Sequence, residues 1–153
     1  MKTAHAETVI SAPIAKVWQV LLDLERYPEW NPFTVRVDCP GGPRVGAGIR
    51  LHVRWGDGGG VISPEKIVLI EPPARGANGR LRGVFGYNFG TILSTLNLVR
   101  SRRLQIVEEQ ADGSTRYSTD IQLTGLLAGL TPLAKVQDGF DRQTAALKKR
   151  CES

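Results

Sequence analysis

Seven residues about a third of the way along the chain, Ile49-Arg50-Leu51-His52-Val53-Arg54-Trp55, alternate strictly between apolar and polar. Successive side chains of a strand point to opposite faces, so Ile49, Leu51, Val53 and Trp55 share one face and Arg50, His52 and Arg54 the other. A strand with one dry and one wet face belongs in an antiparallel sheet, because parallel strands are buried on both sides. The dry face of such a sheet needs a cover, and the rest of the chain must supply it.

Further strand signals surround this one. Ala6 to Ile10, Phe33 to Asp38, Lys66 to Glu71 and Arg80 to Tyr87 read as strands, with the turn Pro40-Gly41-Gly42-Pro43 and the loop Gly56 to Gly60 between two of them. Leu104 to Glu109 and Thr115 to Thr124 form a hairpin around Asp112-Gly113, with Tyr117, Thr119, Ile121 and Leu123 on its inner face. Gly90 to Val99 reads as a loop with a helical turn.

Two stretches have helical periodicity. Ile14, Val17, Trp18, Leu21 and Leu22 make an apolar stripe behind Ser11-Ala12-Pro13, where Ser11 is placed to cap the helix and Pro13 to start it. Near the C-terminus, Leu133, Val136, Phe140, Thr144 and Leu147 repeat at spacings of three and four behind Thr131-Pro132. The order is strand, helix, a run of strands, helix. The fold class is α+β, and the C-terminal helix is the natural occupant of the concave sheet face.

Composition narrows the function. The 153 residues fit one domain, 1–153, and carry 41% apolar and 23% charged residues, as an ordinary globular domain does. No stretch reads as a membrane span, and the N-terminal residues lack the apolar core of a secretory signal, so a cytoplasmic location is expected. The net charge of +5 invites a nucleic-acid reading. The basic residues are scattered, and no aromatic RNA-binding signature or helix-turn-helix pattern accompanies them, so no nucleic-acid partner is expected. Cys39 and Cys151 stand far apart, outside any Cys-x-x-Cys pair, and only two histidines exist; no metal site and no cofactor are expected. Cys151 reads as an exposed, inert thiol near the chain end.

No nucleophile elbow is present, and the glycine-rich segments Gly56 to Gly60 and Gly83 to Gly90 lack the Gly-Lys-Ser/Thr ending of a phosphate loop. His52 alternates with two arginines and reads as solvent-facing. Trp30, Phe33, Trp55, Phe85, Tyr87 and Phe140 are expected to converge on the concave face or its mouth, as in an apolar ligand pocket. Arg102, counted back from Leu104 and Ile106 at period two, falls on the inner face. An arginine there keeps its charge and must find a carboxylate or a ligand oxygen. Asn31 and Tyr87 are further hydrogen-bonding candidates.

Four stretches together resemble the START-like, or SRPBCC, superfamily in its polyketide cyclase/dehydrase-like branch. They are Ile10-Ser11-Ala12-Pro13 with Val17-Trp18; Tyr27 through Phe33; Asp112-Gly113-Ser114-Thr115 with Leu123 through Leu127; and Gly139-Phe140 leading to Ala146-Leu147-Lys148. The resemblance implies a helix-grip fold, a seven-stranded curved antiparallel sheet wrapped around the long C-terminal helix with a cavity between them. Its members bind lipids, sterols, plant hormones or polyketides, a minority are cyclases or aromatases, and others activate chaperones. Where relatives often carry an acidic residue and a large aromatic, this chain has Ile121 and Gly83. With Gly139 these imply a wide, apolar cavity whose one charge is Arg102. The reading is a protein that holds a small, largely apolar molecule without transforming it. The alternatives are a polyketide cyclase/aromatase or dehydratase-like enzyme, using Tyr87 and Arg102 for protons and oxyanion charge, and a chaperone-interaction module. Oligomeric state is not encoded in any pattern here.

Overall fold

The computed structural model describes the backbone of residues 1–153 and every side chain except those of Ile92 and Leu93. Seven strands form one antiparallel sheet: β1 (Lys2–Ile10), β2 (Thr34–Asp38), β3 (Gly48–Arg54), β4 (Gly60–Arg75), β5 (Leu81–Phe89), β6 (Arg100–Glu109) and β7 (Thr115–Thr124). Their spatial order is β1-β7-β6-β5-β4-β3-β2, so the first strand is inserted beside the last and every other neighbour is joined by a hairpin or short connection. Helix α1 (Ile14–Leu22) and a 3-10 turn (Leu24–Glu29) lie between β1 and β2, the short α2 (Ile92–Thr95) between β5 and β6, and α3 (Leu133–Glu152) closes the chain. The helix-grip architecture expected from the pattern is the one observed.

Helix α3 fills the concave face. Its C-terminal half presses Leu147 and Cys151 against Val17 and Leu21 of α1 and against Phe85, Val107 and Tyr117 of the sheet. Its N-terminal half sets Val136 and Phe140 against Ala4, Ala6 and Phe33. Each fully buried Leu or Phe contributes about 1.5–3 kcal/mol, so this two-part seam holds the helix in the grip. The small β1 residues let α3 approach the sheet edge closely. The helix stripe read from sequence is therefore the packed face.

Four local expectations change. Ser11 does not cap α1; its backbone N–H donates to Glu152 Oε2 on α3, and Pro13 occupies the cap position without a side-chain bond. The fourth strand is sixteen residues long, not six, and runs through Pro64, Pro72 and Pro73. It tolerates Pro72 and Pro73 because its pairing with β5 is irregular between Glu71 and Ala74, where these two prolines need no ladder partner. Cys151 is buried rather than exposed, because the last turn of α3 packs on α1. Gly139 and Gly83 do not widen the interior. A Cβ at Gly139 would overlap the Phe33 ring, and one at Gly83 would lie 3.1 Å from the side chains of Pro73 and Trp18. Both glycines are filled by neighbouring rings.

Candidate ligand cavity with a buried arginine

The inner phase of β6 is Ser101, Arg103, Gln105 and Val107, not Arg102, Leu104 and Ile106. Arg102 stands exposed on the convex face, between Asn88 of β5 and Gln122 of β7. The count from Leu104 slipped by one because both faces of β6 carry apolar residues. Leu104 lies over Gly86 on the outer face, where only a hydrogen leaves room for it: an added Cβ would come 2.7 Å from Leu104 Cδ2. Meanwhile the inner face is polar at three consecutive positions, Ser101, Arg103 and Gln105, which hides it from a search for hydrophobic periodicity.

Arg103 is 4% exposed. Its register neighbours are Tyr87 on β5 and Ile121 on β7. Its Nε donates to Thr119 Oγ1 at 3.0 Å and its Nη2 to Gln143 Oε1 at 3.2 Å. The guanidinium carbon lies 4.3 Å from the Phe140 ring centroid and 5.6 Å from that of Tyr87. No ion pair of the described residues includes Arg103. A guanidinium cannot shed its proton, so aromatic faces and neutral acceptors carry its charge.

Those acceptors form a chain whose direction is fixed. Arg103 can only donate, so Gln143 turns Oε1 toward it. Gln143 Nε2 then donates to Gln105 Oε1 at 3.0 Å, which also accepts from the Tyr117 hydroxyl at 2.6 Å. Gln105 is left to donate through Nε2 to the Tyr87 oxygen at 3.4 Å. The Tyr87 proton is therefore free to be offered elsewhere. Burial pushes the Tyr87 phenol up to about 12, against the opposing pull of Arg103, so it remains a donor at neutral pH.

Beside these groups lies a cavity of about 230 Å³. Leu51 and Val53 of β3, Val61, Ser63 and Glu65 of β4, Tyr87 and Phe89 of β5, Arg103, and Ile121 and Leu123 of β7 form its sheet wall. Phe33, Trp55, Val136 and Phe140 face them. Phe33 stacks edge-on to Phe140 at 5.9 Å and is tilted against Trp55 at 6.0 Å. The lining is largely apolar; its charged residues are Arg103 and Glu65, and its uncharged polar groups are Ser63, Ser101, Thr131 and the Tyr87 hydroxyl.

Of the residues singled out from sequence, Phe33, Trp55, Tyr87 and Phe140 line this cavity together with Ile121. Phe85 lies deeper in the core, edge-on to Tyr87 at 5.4 Å. Trp30 packs on Tyr27, away from the cavity. Asn31 is buried and structural, its Oδ1 accepting from the backbone N–H groups of Phe33 and Thr34. His52 is on the opposite sheet face, 2.8 Å from Asp38 Oδ2. Glu65 was missed altogether. The sequence pattern starts the strand at Lys66, because Pro64 interrupts the alternation of Ser63, Glu65 and Ile67.

Glu65 Oε1 accepts from Ser63 Oγ at 2.9 Å, while Oε2 is shut off from solvent with no partner. The residue as a whole is half-buried. Desolvation is the main influence and pushes the carboxyl up to about 7, with Ser63 and Arg103 pulling the other way.

The chain matches, over residues 1–152, the family model described as polyketide cyclase/dehydrase and lipid transport. The protein belongs to that family. No curated protein is significantly similar in sequence. Solved structures share the fold at low identity. A hypothetical protein of Helicobacter pylori is 12% identical with a TM-score of 0.73, over 98% of this chain and 88% of that one. A START superfamily protein of Mycobacterium smegmatis is 17% identical with a TM-score of 0.63, over 98% and 97%. The di-domain ARO/CYC BexL of the BE-7585A biosynthetic pathway is 14% identical with a TM-score of 0.66, over 99% of this chain and 50% of that one. The polyketide cyclase/dehydrase and lipid transport family thus supplies a helix-grip fold suited to binding a ligand. No described helix of this member is long and apolar enough to cross a membrane.

Proposed function

We propose that this protein holds a small, largely apolar molecule bearing an acidic or phenolic oxygen, in the cavity between sheet and α3, without transforming it. One observation carries the reading. A largely apolar cavity is bordered by a buried guanidinium that no carboxylate among the described residues pairs. Burying a charge is costly unless it is paired and hydrogen-bonded, and a ligand oxygen supplies the missing partner. The Tyr87 hydroxyl stands beside Arg103 as a second donor, so an anionic oxygen would meet two donors at once. The rings of Phe33, Trp55 and Phe140 would cover the apolar body. Native mass spectrometry of gently purified protein, followed by titration with a panel of aromatic and aliphatic acids, tests the reading. Acids binding in preference to neutral analogues support it; no binding across the panel overturns it.

A second reading has its own observation. Tyr87 and Glu65 are proton-active groups in one cavity with Arg103, an arrangement that could fold a reactive chain and assist proton transfer. Incubation with a poly-β-ketone thioester mimic would yield a cyclised aromatic product on this reading and only unchanged or spontaneously decayed substrate on the first.

A further inference from the structure

We propose that Glu65 is a second recognition pole of the cavity, selecting ligands that carry a hydroxyl in addition to the anionic group taken by Arg103. The inference rests on the cavity being a ligand site and deepens it by naming the ligand class, a hydroxylated apolar acid.

The carboxyl lines the cavity, yet only one of its oxygens is used by the protein. Oε1 accepts from Ser63, and Oε2 is buried without a partner. A buried oxygen left unmatched is destabilising. Glu65 lines the cavity, so a turn of its carboxyl presents that oxygen to a ligand group. The titratable residues that line the cavity are Glu65 from β4, Tyr87 from β5 and Arg103 from β6; the lining residues of β3, β7 and α3 contribute none. Arg103 is not within ion-pair distance of Glu65 and does not neutralise it.

The chemistry of the matching group follows. A hydroxyl donates to the carboxylate and accepts from the carboxylic acid, so it satisfies Glu65 in either protonation state. A ligand ammonium would add a second positive charge to a cavity that already holds the guanidinium. Glu65 and Arg103 stand on strands separated by β5 and lie two residues out of line along it, which puts their Cα atoms roughly 12 Å apart. The hydroxyl and the acid therefore belong on different parts of the ligand skeleton.

Calorimetric titration of wild type with naphthoic and benzoic acids and their ring-hydroxylated counterparts tests this. The hydroxylated acid of at least one pair is expected to bind about tenfold more tightly than its parent. Glu65→Met, checked for folding by circular dichroism, is expected to erase that preference while still binding the parent acid. Glu65→Gln, which keeps a hydrogen-bonding amide, is expected to retain part of it. Parent and hydroxylated acids binding wild type equally would overturn this inference and leave the reading of the cavity intact, as would a preference that survives in Glu65→Met. Failure of every acid to bind wild type would overturn both.

Discussion

The guanidinium carbon of Arg103 lies 4.3 Å from the centre of the Phe140 ring, so the sheet's buried charge sits over the ring that the grip helix sends into the core. Phe140 belongs to the apolar stripe that docks α3, and Arg103 to the inner row of β6. The contact that fastens the helix at this level also shields the arginine from water. Packing and the candidate site are thus one structure here.

This pairing predicts a separation of stability from binding for Arg103→Met. The methionine removes a buried charge but leaves Gln143 Oε1 without its donor, and these effects oppose each other. The unfolding free energy is expected to stay within about 2 kcal/mol of wild type. Affinity for an apolar acid is expected to fall by at least about tenfold. Chemical denaturation and calorimetric titration of the same samples check both halves.

Glu65 predicts a pH dependence of folding opposite to that of a salt-bridged carboxylate. Burial pushes its folded carboxyl up to about 7, from an ordinary value of 4.5. Between these values the native protein holds a proton that the unfolded chain has lost. Stability is therefore greatest below the unfolded value, falls as pH rises toward about 7, and levels off above it, by up to about 3 kcal/mol. Glu7 and Asp38, whose carboxyls are held low chiefly by hydrogen bonds from Arg116 and His52, act in the opposite sense at lower pH. Denaturant midpoints from pH 4.5 to 7 should show the decline in wild type and lose it in Glu65→Gln.

Gly139→Ala is expected to destabilise despite placing a better helix former in mid-helix. Propensity favours alanine by about 1 kcal/mol, but its Cβ would overlap the Phe33 ring, and overpacking of this kind costs about 1–3 kcal/mol. In a Phe33→Ala background the overlap disappears, and Gly139→Ala should become neutral or stabilising. A double-mutant cycle should give a coupling above about 1 kcal/mol, and additivity would show that α3 shifts to accommodate the methyl.

The architecture was legible because its determinants are periodic. The alternation Ile49 to Trp55, the Asp112-Gly113 turn and the stripe Val136, Phe140, Leu147 are each local patterns that tertiary packing reinforces. The cavity's apolar rings, Phe33, Trp55, Tyr87 and Phe140, were legible for the same reason. Its polar residues were not. Arg103 and Gln105 occupy core positions that a hydrophobic count assigns to solvent, and Glu65 hides beside a proline in an irregular strand. The fit of Phe33 into Gly139 depends on two segments a hundred residues apart, and nothing in either one announces it.

The cysteines offer a check on the packing of the α3 terminus. Burial pushes the Cys151 thiol up to about 11, whereas Cys39 is half-buried with a smaller upward push. Ellman's reagent on native protein should modify Cys39 first, with Cys151 reacting only on unfolding. Equal rates would mean that the last turn of α3 does not stay docked on α1.

The central claim is that Arg103 makes the cavity an acid-binding site. Calorimetric titration of wild type and Arg103→Met with naphthoic acid and its near-isosteric carboxamide tests it most directly. The account predicts that wild type binds the acid at least about tenfold more tightly than the amide and that Arg103→Met binds both alike. Equal affinity of wild type for acid and amide, or an acid preference that persists without the arginine, would contradict it.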